Sequence, residues 1–456
     1  MRILRRTITF IFLTQSLLLS QSIYDSLATH IITESLQSNN AMQLLTELCT
    51  KIGHRISGSP QATKAVEWSK RVMESYAFDN VRTEPVTVPR WFRGNVERAT
   101  LRVKGQAAIK LNITTLGGSV GTPKQGVSGM VVEILSWDQL KSYGDSAKGK
   151  IVFYNRPMER SRRNVFEAYG RAVDQRGRGA VEAAKYGAVG VIVRSMTTRL
   201  DDFPHTGGMG YAEGGQKIPA VAVSTNDAEK LSSLLKKHGS ANTRVTLELS
   251  AQMMPDVESA NVVGELRGTE FPDEVIVIGG HLDSWDIGQG AHDDGAGVVQ
   301  AIEAIRILKA LGLKPKRTIR AVSFMNEENG GRGGQAFADK DRGTEKTIAA
   351  IESDAGGFMP RGFGIADSNA FRKLKVFEPL FAQIGADRIT FGGGGSDITP
   401  LARKGASLIG LTVDTQRYFE SHHTNNDVLD RVNERELALG AACMAILSYV
   451  IAQEGL

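Results

Sequence analysis

Apolar residues recur along this chain with two periods, and the alternation between those periods lays out the fold. In the C-terminal half, short apolar runs at 274–278, 318–324, 347–351 and 407–413 have the length and β-branched content of strands. Between the first two, Val298, Ile302, Ile305 and Leu308 fall three or four apart, which predicts a helix over 297–311. A last helix is predicted over 434–451, with one strongly apolar face. Strand, helix, strand, helix in this order predicts an α/β fold, a mostly parallel sheet with helices on both faces. In such sheets ligands bind beyond the carboxyl ends of the strands.

Upstream, 23–36, 41–52 and 61–76 read as helices, followed by strand-like runs at 81–88, 99–103 and 109–115. The Gly-rich stretch 117–126 reads as a crossing point between domains. Residues 127–250 have a pattern of their own: strand-like runs at 130–135, 150–154, 189–193, 220–223 and 244–249, with helix-like segments at 172–186 and 227–238. This block carries no catalytic cluster, which marks it as a lid or accessory domain. A chain of 456 residues is too long for one simple core. The expected division is 1–22, then 23–118 plus 252–456 as the main domain, with 119–251 inserted.

The first 22 residues change the picture. Met1–Arg6 is basic, 8–19 is mostly apolar, and Ser20-Gln21-Ser22 offers small residues for cleavage, the layout of a secretory signal peptide. The apolar run is shorter than the ~20 residues that span a bilayer comfortably. Export is therefore expected, secreted or periplasmic, with no stable membrane span further on. Three of the five net positive charges are Arg2, Arg5 and Arg6, and no basic stripe is interleaved with aromatics, so nucleic acid is not an expected partner. Cys49 and Cys443 could pair in an exported chain or be two buried small hydrophobes, and the sequence leaves both open.

The chemistry lies in polar clusters that follow predicted strands. Gly279-Gly-His-Leu-Asp283 comes directly after 274–278. His281 is a good zinc ligand. Asp283, two residues on, shares its side of an extended chain and can accept the other ring N–H of His281. Asp293-Asp294-Gly-Ala-Gly297 opens the next helix. Alone it reads as a helix cap with a first-turn acid; in a Gly-rich loop twelve residues after His281, one carboxylate can bridge two cations. Glu327-Glu328 follows 318–324. It reads as a solvated pair, or as one metal ligand beside one free base. Asp354 follows 347–351, where a turn Asp is the simpler reading. His422-His423-Thr424 sits in the polar loop 420–427. Four of the eight histidines (His281, His292, His422, His423) fall in these clusters. Each cluster is weak alone, but His, Asp, Glu, Asp, His in series, all placed after strands of one sheet, point together to two metal ions.

These residues resemble the co-catalytic zinc aminopeptidase/carboxypeptidase family over nearly the whole chain beyond residue 22. Arg55-Ile-Ser-Gly-Ser-Pro60 and Asn80-Val-Arg-Thr-Glu-Pro-Val-Thr-Val-Pro-Arg-Trp91 look like a carboxypeptidase subgroup of it. The resemblance implies a zinc-exopeptidase fold with 119–251 as an inserted β-rich protease-associated domain, and two Zn2+ ions per chain. His281 and Asp354 would hold one ion, Glu328 and His423 the other, and Asp293 would bridge them, with a cis peptide after it. Glu327 would be the general base, Asp283 would orient His281, and His422 would help stabilise the transition state. The loop Gly392-Gly-Gly-Gly-Ser-Asp-Ile-Thr-Pro400 resembles a substrate-pocket loop, which puts Ser396 and Asp397 near the substrate. His292 departs from the pattern, which has an apolar or acidic residue there, and is not counted as a ligand. The implied reaction is hydrolysis of a peptide bond near a chain end or in a dipeptide, with a hydroxide shared by the metals as nucleophile, and the implied assembly is a homodimer. A catalytically inactive receptor-like ectodomain on the same scaffold is the alternative, although such members lack ligands. A glutaminyl-cyclase-like acyltransferase uses a single zinc, so the two-metal set speaks against it. The choice between amino and carboxyl ends is left open.

Overall fold

The computed structural model describes residues 23–456, so the expected signal segment lies outside the described residues. The chain forms two eight-stranded sheets. In the first, the strands lie side by side in the order Asp79–Phe92, Gln252–Leu266, Arg317–Phe324, Phe271–His281, Lys346–Glu352, Ser407–Val413, Pro360–Ile365 and Arg388–Phe391. The four central strands, Arg317–Phe324 to Ser407–Val413, run parallel. Antiparallel pairing joins the flanks on either side.

The central strands read as unbroken apolar runs because both faces are covered. Val275 and Val277 pack with Phe324, Phe337 and Leu401 on one face. Their neighbours Ile276 and Ile278 pack with Val298, Ile302 and Ile305 of helix Ala296–Ala310 on the other, as the two-residue period of a strand requires. Each such buried side chain stabilises the fold by roughly 1.5–3 kcal/mol. Helix Glu434–Glu454 lies against Ala296–Ala310. It is long and apolar enough to cross a membrane, yet it is buried from Leu437 through Ala452. The expected single apolar face was too narrow a reading: a helix that is apolar all round is a core helix. Cys49 and Cys443 are both buried free thiols.

The second sheet runs Ile109–Leu111, Glu97–Val103, Thr243–Leu249, Val127–Ile134, Ile151–Tyr154, Gly190–Arg194, Ala220–Val223 and Ile113–Thr115. Its strands begin at Glu97, well before the boundary expected at 118. The reason is pairing: Glu97–Val103 runs antiparallel to Thr243–Leu249 along its whole length, and Ile113–Thr115 closes the far edge against Ala220–Val223.

Candidate metal centre

Three of the four central parallel strands deliver chemistry at their carboxyl ends, and the fourth leads into a loop that supplies the rest. His281 is the last residue of Phe271–His281. Glu327 and Glu328 follow Arg317–Phe324, Asp354 follows Lys346–Glu352, and His422 and His423 follow the short helix Thr415–Glu420 beyond Ser407–Val413. Asp293 comes from the turn before Ala296–Ala310, and its peptide bond to Asp294 is cis.

The side chains converge on Asp293. Its Oδ1 lies 3.2 Å from His281 Nε2, which is also 3.5 Å from Asp354 Oδ1. Its Oδ2 lies 3.2 Å from His423 Nε2, which is 3.1 Å from Glu328 Oε2. His422 stacks on His423 with ring centroids 3.5 Å apart and stands 3.9 Å from Asp293 Oδ2. The adjacent acid, Asp294, is spent on the backbone: it accepts the His281 N–H at 3.0 Å and the Gly297 N–H at 2.9 Å. That difference separates the two neighbours, leaving Asp293 free to face outward.

Asp283 works differently from the expectation. His281 Nδ1–H donates to the main-chain carbonyl of Asp283 at 2.8 Å, while the carboxylate stands 4.0 Å away. The carboxylate instead accepts the successive N–H groups of Asn326 (2.6 Å), Glu327 (3.1 Å) and Glu328 (3.4 Å). Such a ring of amides is a good seat for an anion. It fixes the turn that carries both glutamates, with Asn326 at a positive φ of 75°.

The electrostatics show too much negative charge in one place. Burial, and then the Asp293 charge, push Glu328 up to about 8. Burial raises Asp354 to about 6. Burial alone would lower His423, but Glu328 and Asp293 more than offset it and bring it to about 10. His281 is likewise held well above its ordinary value against its own burial by Asp293 and Asp354. His422 goes the other way: burial and the neighbouring His423 charge keep it neutral. Asp293 Oδ2 and Glu328 Oε1 are buried without a hydrogen-bond donor. Imidazole and carboxylate donors in this arrangement suit zinc.

Several supporting roles left no mark in the sequence. Arg55 is fully buried and donates to the carbonyls of Leu282, Gln289 and Gly290, bracing the loop between His281 and Asp293. Ser57 and Asn329 tie the same N-terminal segment to Asn326. Asp427 accepts the main-chain N–H groups of His292 (2.7 Å) and Asp293 (3.1 Å). His292 has both ring nitrogens engaged, with the Arg431 carbonyl and the Gly357 N–H, and stacks on Phe358, a packing role. Ser396 is exposed. Asp397 is buried with neither carboxylate oxygen partnered, beside Glu352, which is itself raised to about 8 by burial and the Asp354 charge. Glu352 had a readable signal, standing two residues before Asp354 and so on its side of the strand.

Next to Glu328 a cleft of about 750 Å3 opens between the two sheets' units. Trp91, Asn329 and Gly330 line one side, and Gly208, Met209 and Tyr211 the other. The structure does not bring Ser396 or Asp397 to this cleft.

A parallel sheet with a His/Asp/Glu cradle at its carboxyl edge is the arrangement of a metal-dependent hydrolase. Residues 261–448 match the family described as Peptidase family M28. Carboxypeptidase Q of Bos taurus is 35% identical over 416 residues, 91% of this chain and 85% of that protein, and the Homo sapiens protein is 34% identical over the same shares. The crystal structure of a peptidase M28 precursor from Shewanella amazonensis SB2B superposes with a TM-score of 0.89 at 35% identity, covering 96% of this chain and 98% of that one. A zinc aminopeptidase from Bacillus subtilis shares the fold, with a TM-score of 0.65 at 20% identity over 91% and 95% of the two chains. The chain belongs to peptidase family M28 and is a metallo-exopeptidase.

Proposed function

We propose that this chain is a dizinc exopeptidase that hydrolyses peptide bonds next to a chain end or within dipeptides. The observation that carries the reading is the double cradle: Asp293 stands between His281 with Asp354 and His423 with Glu328. His281 and Asp354 would hold one ion, Glu328 and His423 the other, and Asp293 would bridge them. The orphaned oxygens of Asp293 and Glu328 support the fit. When bound, the ions would supply Lewis acidity for the scissile carbonyl and lower the pKa of the attacking water.

The chain's own residues do the rest. Glu327 shares its turn with Glu328 but is more exposed, and serves as general base. Its carboxylate takes a proton from the attacking water and returns it to the leaving amine. Asp283 holds Glu327 and Glu328 at fixed positions through their amides. His422, neutral and beside Asp293, offers a ring N–H to the developing oxyanion, a contribution of about 3 kcal/mol where such donors have been removed. The unit expected over 119–251 acts as an inserted protease-associated-like domain, a role supported by Gly208, Met209 and Tyr211 in the cleft wall. Export is supported by the basic and apolar pattern of residues 1–19.

Metal analysis of the purified chain is expected to give two zinc ions per molecule. Glu327→Gln is expected to keep both and to lose turnover by about 10²–10⁴-fold. A chain that binds no zinc would reject the reading, and normal turnover by Glu327→Gln would reject the base.

A further inference from the structure

The two imidazoles assigned to the metal cradle are aimed in different ways. His281 has a second contact: its Nδ1–H donates to the Asp283 carbonyl at 2.8 Å, so the ring is fixed from behind. A ligating histidine is normally oriented by such a bond from its other nitrogen. His423 has none, for its Nδ1 is buried without a hydrogen-bond partner. Its ring stacks on His422 and meets Trp285 edge-on at 5.6 Å, contacts that limit tilt but supply no hydrogen bond. With no bond behind the ring, the aim of Nε2 falls to the backbone that carries it.

That backbone is unusual. Thr424 N–H donates to the Ser421 carbonyl at 3.1 Å, which makes His423 the third residue of a four-residue turn. Its φ is 61°, in the left-handed region, where Gly or Asn is the usual occupant of that place. A residue with a Cβ stays there only when its surroundings hold it. Among the described residues the His423 carbonyl accepts one hydrogen bond, from Thr206 N–H at 2.9 Å.

Thr206 belongs to the second-sheet unit, is fully buried, and is tied into that unit on both sides. Its hydroxyl donates to the carbonyl of Thr115, the end of strand Ile113–Thr115, at 2.8 Å. On one flank His205 N–H donates to the Ser195 hydroxyl at 2.9 Å, which itself donates to the Val223 carbonyl at 2.7 Å. On the other, Gly117 N–H reaches the Gly207 carbonyl at 3.0 Å. The same unit seats the residues that lead into the turn. Tyr169, from helix Val165–Gly170, stacks on Phe419 at 4.7 Å and meets the His422 ring edge-on at 5.4 Å. His281 and Asp354, by contrast, stand at the ends of neighbouring strands of the first sheet.

We propose that the second-sheet unit, through the Thr206 N–H, holds His423 in its ligating conformation. The metal position of Glu328 and His423 then depends on both units, while that of His281 and Asp354 is built by the first sheet alone. This rests on the dizinc reading above. Thr206 is a positioning residue: it touches neither ion nor substrate and acts through the His423 backbone.

The test measures zinc binding to the full chain by competition with a chelator. Thr206→Pro removes the N–H. One of the two ions is expected to bind ~10–100-fold more weakly and the other as in wild type. Thr206→Ser, which keeps both the N–H and the hydroxyl, is expected to hold both ions as wild type does. Combined variants identify the ion. Thr206→Pro should add little to the loss caused by Glu328→Gln, since both act on one position, whereas together with Asp354→Asn it should weaken both positions. Two ions held at wild-type affinity by Thr206→Pro would overturn the assignment, as would equal weakening of both in a folded variant. Should that variant fail to fold, amide exchange on wild type decides. Chelation is expected to lower protection across 204–209 while strand Ala220–Val223 keeps its own, and unchanged protection of 204–209 counts against Thr206. A wild type that binds fewer than two zinc ions would instead sink the dizinc reading, and this assignment with it.

Discussion

Asp283 shows how much one buried carboxylate can do away from the reacting atoms. Its carbonyl fixes the His281 ring through Nδ1, and its carboxylate gathers three consecutive amides of the turn that bears Glu327 and Glu328. One residue therefore positions His281, Glu328 and Glu327, the proposed ligands and base. Asp283→Asn keeps the carbonyl but puts an amide, with a single acceptor oxygen, against three donors. Loss of an outer partner of this kind typically lowers metal affinity or activity by ~10–100-fold. The expected result is weaker zinc binding in a chelator competition and a kcat reduced within that range, with His281 still ligating. Unchanged zinc affinity and turnover would show that the turn holds itself. The sequence placed Asp283 on the right side of the chain for His281 but mistook which of its oxygens makes the contact, because backbone carbonyls leave no trace in residue identity.

Elements were legible in proportion to how uniformly they are buried. Ser407–Val413 was read to the residue, and the other central strands within a few residues, because burial on both faces leaves an unbroken apolar run. The flanks were harder. Asp79–Phe92 alternates between buried and exposed positions and pairs with Gln252–Leu266, whose first half is polar and was not read at all. What fixes that flank is ionic. Glu84 accepts a two-point contact from Arg342 at 2.9 and 2.7 Å and is joined by Arg82 at 3.0 Å and Lys340 at 3.2 Å. Burial alone would raise Glu84, but these cations more than offset it and bring it from 4.5 to about 2. A carboxylate whose folded value is depressed stabilises the fold above its unfolded value and loses that contribution as pH falls through the folded one. Stability owed to Glu84 is thus complete above pH 4.5 and vanishes toward pH 2. Glu84→Gln is expected to cost about 3 kcal/mol at neutral pH, since it removes a buried carboxylate from the partly buried Arg342 that pairs with it at two points, and to flatten the acid limb of a urea-denaturation profile. A variant with the wild-type acid limb would place that pH dependence elsewhere.

At the scale of the molecule, the two sheets divide the labour. The first carries the motif residues, and their order along the chain was enough to infer a common edge. The second contributes residues that no local pattern marked. Tyr169 and Thr206 stand far from His422 and His423 in sequence and reach them only because the second unit folds back over the cleft. The same convergence loads one region with buried acid: Asp293, Asp294, Glu328, Glu352, Asp397 and Asp427 are all buried around the partly exposed Asp354. His281, His423 and Arg55 are the cations set among them, too few to balance the set. Two divalent ions would bring four positive charges to this volume, so metal binding should be worth a large part of the fold's stability. By linkage, free zinc at a thousand times its dissociation constant adds about 4 kcal/mol per site. Chelation is expected to lower the melting temperature by several degrees and re-addition of zinc to restore it. Amide exchange should locate the loss. Protection should fall at 281–295, 324–330 and 415–428, where the ligands are held, and stay unchanged across the buried strands Ile151–Tyr154 and Gly190–Arg194 of the second sheet. Uniform loosening of both sheets would mean that the ions hold the two units together, and no change in either would mean that the cradle holds itself shut without them.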